Sequence, residues 1–163
     1  MFKKFFKKKE NVVEVYSPLD GEVIQLEKVP DDAFSSKIIG DGIAIIPNGD
    51  TIYAPFDSED ISIFDTKHAV SFQKGDIELI VHFGIDTVKL NGEGFSKLVL
   101  KDEGSVKKGE KLIAYDLNFI KNKAKSIISP IVVSSMDEID EIFDIKYGKV
   151  NALEPIFKIR LKK

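Results

Sequence analysis

The chain of 163 residues contains no cysteine, and this absence excludes a disulfide framework, a thiolate metal site and a catalytic cysteine. Histidine is also scarce: only His68 and His82 are present, so a metal site with three histidine ligands is excluded. The longest stretch without charge covers residues 126–136 and includes Pro130. A transmembrane helix needs roughly 18 apolar residues, so we expect no membrane span and a protein of the cytoplasm.

Acidic and basic residues are unevenly distributed along the chain. Residues 1–9 carry five lysines and no acid. Because the net charge of the whole chain is −3, the remaining residues together carry a net charge of −8. An acidic body does not suit nucleic-acid binding, which depends on neutralising phosphates. We assign residues 1–11 to a basic tail that lacks the apolar region of a secretory signal. The tail is either simply solvated or makes weak contact with an anionic membrane, since its phenylalanines share one helical face.

From residue 12 onward, short runs rich in Val, Ile, Tyr and Phe alternate with Gly, Pro, Asn and Asp. This pattern predicts an all-β fold, an antiparallel sandwich or barrel-like arrangement, in one domain over residues 12–163. Two short helical segments are predicted to interrupt the strands. One covers residues 117–126 with Asp116 as its N-cap, and the other is an amphipathic turn over residues 137–143.

The sequence also contains a weak internal repeat. The segment SPLDGEVI at 17–24 is echoed by APFDSEDI at 54–61, and DEGSVKKGEKL at 102–112 has the rhythm of a turn between two short strands. Proline in the second position belongs at a strand edge or a turn, and the aspartate after it favours chain reversal. These features predict a duplicated β motif.

The two histidines lie beside predicted strands. In IELIVHFGIDTV, alternation places Ile80, His82 and Gly84 on one face of a strand and the residues between them on the other. His68 stands just before the apolar run AVSF. Two strands of one sheet could therefore bring the imidazoles side by side, and the alternative is that both are structural, hydrogen-bonded histidines.

A pair of imidazoles is better suited to phosphoryl transfer than to hydrolysis. A neutral ring nitrogen is a nucleophile near pH 7 because the unperturbed pKa is about 6.5. The second histidine can donate a hydrogen bond to the phosphoryl oxygens as charge develops on them. A backbone carbonyl near Gly84 and the hydroxyl of Thr66 could each hold the other nitrogen of one ring.

Four segments resemble the glucose-type enzyme IIA of the bacterial sugar phosphotransferase system. They are GDGIAIIP at 40–47, TKHA at 66–69, VHFGIDTVKLNGEGF at 81–95 and SPIVVSSMDEI at 129–139. The resemblance implies a duplicated β-sandwich, described as a hybrid motif, over residues 12–163. It also implies a phosphotransferase component that needs no cofactor. Such a protein takes a phosphoryl group from the phosphohistidine of HPr and passes it to the IIB domain of a sugar permease, with glucose as the expected sugar. Some members also regulate transporters or enzymes.

The resemblance assigns a role to individual residues. It makes His82 the phosphorylated residue, through Nε2, and His68 the histidine that stabilises the phosphoryl group. It implies supporting roles at the site for Thr66, which orients His68, for Gly84, whose carbonyl holds His82, and for Asp86. The residues that match the partner-docking rim are Asp31, Phe34, Phe64 and Ile80, where Ile80 replaces an aromatic residue that is common in the family.

Two other functions on related β folds stay open at this point. A lysostaphin-like zinc endopeptidase needs a His-x-His pair, and Ile80 stands where the first histidine is required. No intrinsic metal site is expected, although His68 and His82 could bind zinc together with a carboxylate from a partner. A biotinyl or lipoyl carrier is suggested by residues 102–112, but no Met-Lys-Met or Asp-Lys-Ala triplet is present.

Overall fold

The computed structural model describes residues 11–163. Residues 1–10 lie outside the described part of the chain, and with them lies nearly all of the predicted basic tail and its membrane contact. The division into a tail over residues 1–11 and a domain over residues 12–163 therefore stays a prediction.

Antiparallel strands dominate the described residues. They are β1 Val12–Tyr16, β2 Gly21–Gln25, β3 Asp41–Pro47, β4 Thr51–Tyr53, β5 Ser58–Ile63, β6 Ala69–Lys74, β7 Ile77–His82, β8 Phe95–Lys97, β9 Glu103–Val106, β10 Lys111–Tyr115, β11 Ser129–Val133, β12 Ile139–Phe143, β13 Gly148–Val150 and β14 Pro155–Leu161. The α-helices are α1 Asp32–Ser35 and α2 Leu117–Lys123, and short 3₁₀ turns cover Leu26–Lys28, Thr87–Leu90 and Met136–Glu138. No helix between residues 11 and 163 is long and apolar enough to cross a membrane.

The strand order shows the duplication directly. The largest sheet has the order β13-β2-β3-β11-β7-β6-β5-β9, and two smaller sheets have the orders β1-β14-β12 and β4-β10-β8. The large sheet divides between β11 and β7 into two groups of four strands, β13-β2-β3-β11 and β7-β6-β5-β9, and the two small sheets have three strands each. The all-β, duplicated antiparallel fold predicted from the sequence is confirmed.

The two copies of the repeat exchange hydrogen bonds. Tyr16 N donates to Pro55 O at 3.0 Å, and Tyr53 N donates to Pro18 O at 2.9 Å. Each donor lies 37 residues from its counterpart, as does each acceptor, so the contact is reciprocal. Each proline carbonyl is thus an acceptor for the other copy, whereas proline itself has no N–H to donate.

The repeated aspartates hold turns elsewhere in the chain. An oxygen of Asp20 accepts from Ala152 N at 2.7 Å, and an oxygen of Asp57 accepts from Lys108 N at 2.8 Å. The turns that contain Lys108 and Ala152 end in equivalent positions with positive φ, at Gly109 (φ 87°) and Leu153 (φ 71°). The segment 102–112 therefore belongs to the repeat, and its second copy runs through residues 146–156.

The predicted helices agree only in part with the structure. Asp116 is the N-cap of α2 and accepts from Phe119 N at 3.1 Å, as predicted. The helix ends at Lys123 rather than at residue 126, because Ser126 pairs with Ile85 in an isolated β-bridge. A tertiary contact therefore shortens the helix.

The predicted turn over residues 137–143 is wrong for most of its length. Only Met136–Glu138 is helical, and Ile139–Phe143 is a strand, β12. This strand pairs with β14 and sets Ile142 opposite Ile159. Pairing with a strand distant in sequence overrides the local helical pattern.

Two hydrophobic clusters cover the two faces of the large sheet. On β7, Leu79 and Val81 belong to the main core, which also includes side chains of the small sheets. Ile80 points the other way and packs against a second cluster that includes Leu26, from a 3₁₀ turn, and Phe34, from α1. His82 follows the same alternation as Ile80, so the face that carries the histidine is the one covered by this second cluster.

Candidate active site at the ends of β6 and β7

The strand ladder brings the two histidines together. His82 is the last residue of β7 and lies opposite Ala69, the first residue of β6. His68 immediately precedes Ala69, and its carbonyl accepts a hydrogen bond from Phe83 N at 2.7 Å. The two imidazole centroids are 4.8 Å apart, and the ring planes meet at 84°. The pair therefore results from backbone register.

The Gly84 carbonyl determines the protonation of the His82 ring. Nδ1 of His82 lies 2.8 Å from Gly84 O. A carbonyl oxygen only accepts hydrogen bonds, so Nδ1 carries the proton. In the neutral ring Nε2 then keeps its lone pair, and this nitrogen is available as a nucleophile.

Thr66 forms a hydrogen bond with the corresponding nitrogen of the His68 ring. Its Oγ1 lies 2.6 Å from Nδ1 of His68. A hydroxyl can donate or accept, so this contact is compatible with both neutral tautomers. When Thr66 donates, the proton of His68 is on Nε2, and the ring presents a donor.

Both rings favour the neutral form. Burial, with a smaller contribution from His82, lowers the pKa of His68 from 6.5 to about 4. Burial also lowers the pKa of His82, although the Gly84 carbonyl and then Asp31 act in the opposite direction. Desolvation penalises the imidazolium more than the neutral ring. Near pH 7 both side chains are therefore uncharged.

Two phenylalanines flank the histidine pair. The ring of Phe34 lies 5.0 Å from that of His82, and the ring of Phe64 lies 5.7 Å from that of His68. Phe34 is only 6% exposed, whereas Phe64 is 42% exposed. Of the predicted docking residues, Phe34 thus forms a buried wall of the site and Phe64 an apolar surface beside it.

The two aspartates predicted at the site, Asp31 and Asp86, make different contacts. Asp31 caps the N-terminus of α1 by accepting from Ala33 N at 2.9 Å, and its charge opposes the lowering of the His82 pKa by burial. Asp86 has φ 62° and forms an ion pair with Lys89 at 3.7 Å. Asp31 is therefore the carboxylate whose charge acts on the pKa of His82.

Glycine is required at position 84 by both conformation and space. Gly84 has φ +71°, in the left-handed region that favours glycine. A Cβ at this position would lie 2.7 Å from Thr87 Cγ2 and 2.8 Å from Ser126 O. The carbonyl that binds His82 thus belongs to a residue that tolerates no side chain.

The sequence interpretation missed two buried polar residues and two exposed apolar ones. Ser129 Oγ accepts from Gly84 N at 3.0 Å, and Thr87 Oγ1 donates to Phe83 O at 2.6 Å. Ile38 and Val88 are 77% and 49% exposed. Ser129 lies 45 residues from Gly84, so no local pattern could reveal the contact. Ile38 follows α1 and Val88 lies in the 3₁₀ turn after Gly84, and a single apolar residue carries no signal of exposure in the sequence.

The described residues do not assemble a metal site by themselves. Between residues 11 and 163, no group of three or more His, Asp or Glu side chains could hold a metal ion. His68 and His82 would supply two ligands at most, whereas zinc usually has four. A metal at this site would need ligands from another molecule.

A duplicated β-sandwich that holds two neutral imidazoles at adjacent strand ends defines a class of protein suited to phosphoryl transfer. Comparison with known proteins identifies the family. The family model for the phosphoenolpyruvate-dependent sugar phosphotransferase system, EIIA 1, matches residues 13–139. The chain belongs to this family.

Individual relatives agree with this assignment. The glucose-specific EIIA component of Haemophilus influenzae is 47% identical over 167 aligned residues, which cover 100% of this chain and 99% of the relative. That of Buchnera aphidicola subsp. Acyrthosiphon pisum is 49% identical over 86% of each chain. The solved structure of the glucose permease IIA from Mycoplasma capricolum matches with a TM-score of 0.86 at 32% identity, covering 94% of this chain and 99% of that one.

Membership in this family decides between the functions that the sequence left open. The chain is a phosphoryl carrier of the sugar phosphotransferase system. Neither a zinc endopeptidase nor a biotinyl or lipoyl carrier is supported.

Proposed function

We propose that the chain carries its phosphoryl group on Nε2 of His82 and that His68 stabilises this group. The observation that carries the proposal is the 2.8 Å contact between Nδ1 of His82 and Gly84 O. This contact keeps the proton on one nitrogen and leaves the other with a lone pair. Because burial lowers the pKa of His82, the lone pair is free at neutral pH.

In the acceptance step, Nε2 of His82 attacks the phosphorus atom of the donor, the phosphohistidine of HPr. A new N–P bond forms at His82 while the N–P bond of the donor breaks, and the donor ring recovers its lone pair. The proton on Nδ1 stays in place, so the His82 ring gains positive charge as the bond forms. The Gly84 carbonyl stabilises this charge through its hydrogen bond.

His68 supports the group from the neighbouring strand. With Thr66 donating to its Nδ1, His68 carries its proton on Nε2 and can donate it in a hydrogen bond to a phosphoryl oxygen. A preformed donor of this kind stabilises the charge that moves onto the oxygens during transfer. Because its pKa is about 4, His68 acts as a neutral donor.

The proposed partners are HPr as the donor and the IIB domain of a sugar permease as the acceptor, within the cytoplasm. Glucose is the proposed sugar, because several relatives are glucose-specific EIIA components. Exposed apolar side chains near the site, Phe64 above all, would contact either partner, and Asp31 adds negative charge. The same surface would serve any regulated transporter or enzyme.

The proposed transfer uses no cofactor. A zinc ion shared with a partner is a separate proposal, in which His68 and His82 act as two ligands and the partner supplies a carboxylate. Equilibrium dialysis with zinc chloride tests it. We expect tight binding only with the partner present, and equally tight binding by a His82→Gln variant would contradict it.

The central experiment measures phosphorylation from labelled phosphoenolpyruvate in the presence of enzyme I and HPr. We expect the wild type to acquire one label that is lost in acid and stable in alkali, as a phosphoramidate is. The His82→Gln variant should acquire none. A matched control replaces Leu100, which is fully exposed in the loop between β8 and β9, with asparagine and should label normally. A label on His68 in the His82→Gln protein, or an acid-stable label, would overturn the proposal.

A further inference from the structure

The Gly84 carbonyl binds His82 only if the peptide that carries it keeps its orientation. Glycine populates φ values of both signs about equally, so Gly84 does not favour this orientation by itself. His82 Nδ1–H is one partner of the carbonyl, at 2.8 Å. At the other end of the same peptide, Ile85 N donates to Ser126 O at 2.9 Å.

The preceding peptide, between Phe83 and Gly84, is held in the same way at both ends. Its carbonyl, Phe83 O, accepts from Thr87 Oγ1 at 2.6 Å. Its N–H, on Gly84, donates to Ser129 Oγ at 3.0 Å. The two peptides that define φ and ψ of Gly84 are therefore fixed by four hydrogen bonds, and three of these bonds use side chains, those of His82, Thr87 and Ser129.

Ser129 is suited to this contact because its hydroxyl both accepts and donates a hydrogen bond. It is completely buried, accepts from Gly84 N and donates to Ile127 O at 2.8 Å. The donation orients the hydroxyl so that a lone pair faces Gly84. Ser129 is the first residue of β11. This strand pairs with β7, the strand that carries His82.

We infer that Ser129 is a positioning residue that acts through the Gly84 peptide to keep His82 in the tautomer with its proton on Nδ1. The inference rests on the function proposed above, because the tautomer matters only if Nε2 is the nucleophile. Without the Ser129 hydroxyl, Gly84 N loses its buried acceptor, and one of the four hydrogen bonds that fix the two peptides is missing. The Gly84 carbonyl then holds the Nδ1 proton of His82 less firmly. The His82 proton can then move to Nε2, which removes the lone pair.

The test observes the tautomer of His82 directly. In the full chain labelled with ¹⁵N on histidine, proton–nitrogen correlation spectra at pH 7.5 distinguish the two tautomers by the shifts of Nδ1 and Nε2. We expect only the Nδ1–H form in the wild type, a mixture of both forms in Ser129→Ala, and recovery of the single form in Ser129→Thr, which keeps a hydroxyl. The initial rate of phosphorylation should fall in Ser129→Ala at least in proportion to the lost Nδ1–H fraction. The upper bound is about 10- to 100-fold, the range for partners that fix the tautomer and orientation of metal-binding histidines.

A second buried serine provides the control for a purely structural effect. Ser17 is completely buried and donates to Leu19 O at 2.6 Å, at the repeat turn. Ser17→Ala should lower the melting temperature while leaving the His82 tautomer and the phosphorylation rate unchanged. A Ser129→Ala protein that keeps the pure Nδ1–H form would overturn the inference, whatever its rate. Failure of the proposed function would appear separately, in the labelling experiment, as a wild-type protein that accepts no phosphate. The tautomer measurement does not depend on that result, because it uses the unphosphorylated protein.

Discussion

The imidazole of His68 stands almost perpendicular to that of His82, at 84°, with 4.8 Å between the ring centroids. Each ring has its Nδ1 occupied by its own loop, His68 by Thr66 and His82 by the Gly84 carbonyl. The Nε2 atoms are therefore the nitrogens left for chemistry in both rings. The partners differ in kind, since a hydroxyl can donate and a carbonyl cannot, so the two rings can hold opposite tautomers. One ring then offers a lone pair and the other a proton.

This difference predicts that replacing each histidine with glutamine affects a different step of phosphoryl transfer. His68→Gln keeps His82 as the nucleophile, so it should still accept phosphate from HPr. Transfer onward to a IIB domain should slow by up to about 10²–10³, the typical effect of losing one preorganised donor, because the flexible glutamine amide does not keep the fixed position of the His68 N–H. Rapid-quench measurement of both half-reactions checks this expectation. Equal slowing of acceptance and onward transfer would show that the roles of the two rings are not distinct.

The lowered pKa of His68 predicts a loss of stability in acid. In the unfolded chain this histidine takes up a proton below about pH 6.5, whereas in the folded protein it does so only near a pKa of about 4. The unfolded state therefore binds more protons between these values, and stability falls as the pH is lowered through this range. Urea unfolding from pH 7.5 to pH 4.5 should show a steeper loss for the wild type than for His68→Gln. Parallel curves would contradict the assignment of a buried neutral ring.

Replacing Gly84 with alanine should damage both stability and activity. Its φ of +71° disfavours a side chain, and the new Cβ would lie 2.7 Å from Thr87 Cγ2. We expect a loss of at least about 1 kcal/mol in the free energy of unfolding, together with slower phosphorylation, since the carbonyl must move. Gly75→Ala is the matched control, because Gly75 has φ +54° but open space around it. If both variants lose the same stability and keep full activity, close packing at Gly84 has no functional consequence.

The basic segment at residues 1–9 predicts attachment to anionic membranes at low salt. Each lysine near such a surface contributes about 1 kcal/mol, and the segment contains five lysines. Deleting residues 1–9 should reduce sedimentation with phosphatidylserine vesicles and leave transfer to a separate IIB domain unchanged. Vesicles of neutral lipid serve as the control. Equal sedimentation of the full-length and shortened proteins would exclude the tail as the attachment site.

Much of the fold could be predicted because its signals are local. The runs VVEVY and PIFKIRL coincide with β1 and β14, and Asp116 caps α2 as its position suggests. The helical spacing over residues 137–143 is also compatible with a strand, and only the pairing of Ile139–Phe143 with β14 decides between them. The same limit applies to Ser126, whose bridge to Ile85 ends α2 early.

For the site, the sequence alone determined the chemistry that is available. With no cysteine and two histidines, one on an alternating strand before a glycine, it excluded a thiol and pointed to an imidazole as the nucleophile. The tertiary structure decided the geometry and the protonation of those imidazoles. The register of β6 and β7 sets their separation, and burial lowers their pKa values. Ser129 reaches Gly84 across 45 residues of sequence. Register, desolvation and such distant hydrogen bonds exist only once strands far apart in the chain have packed together, so no local pattern encodes them.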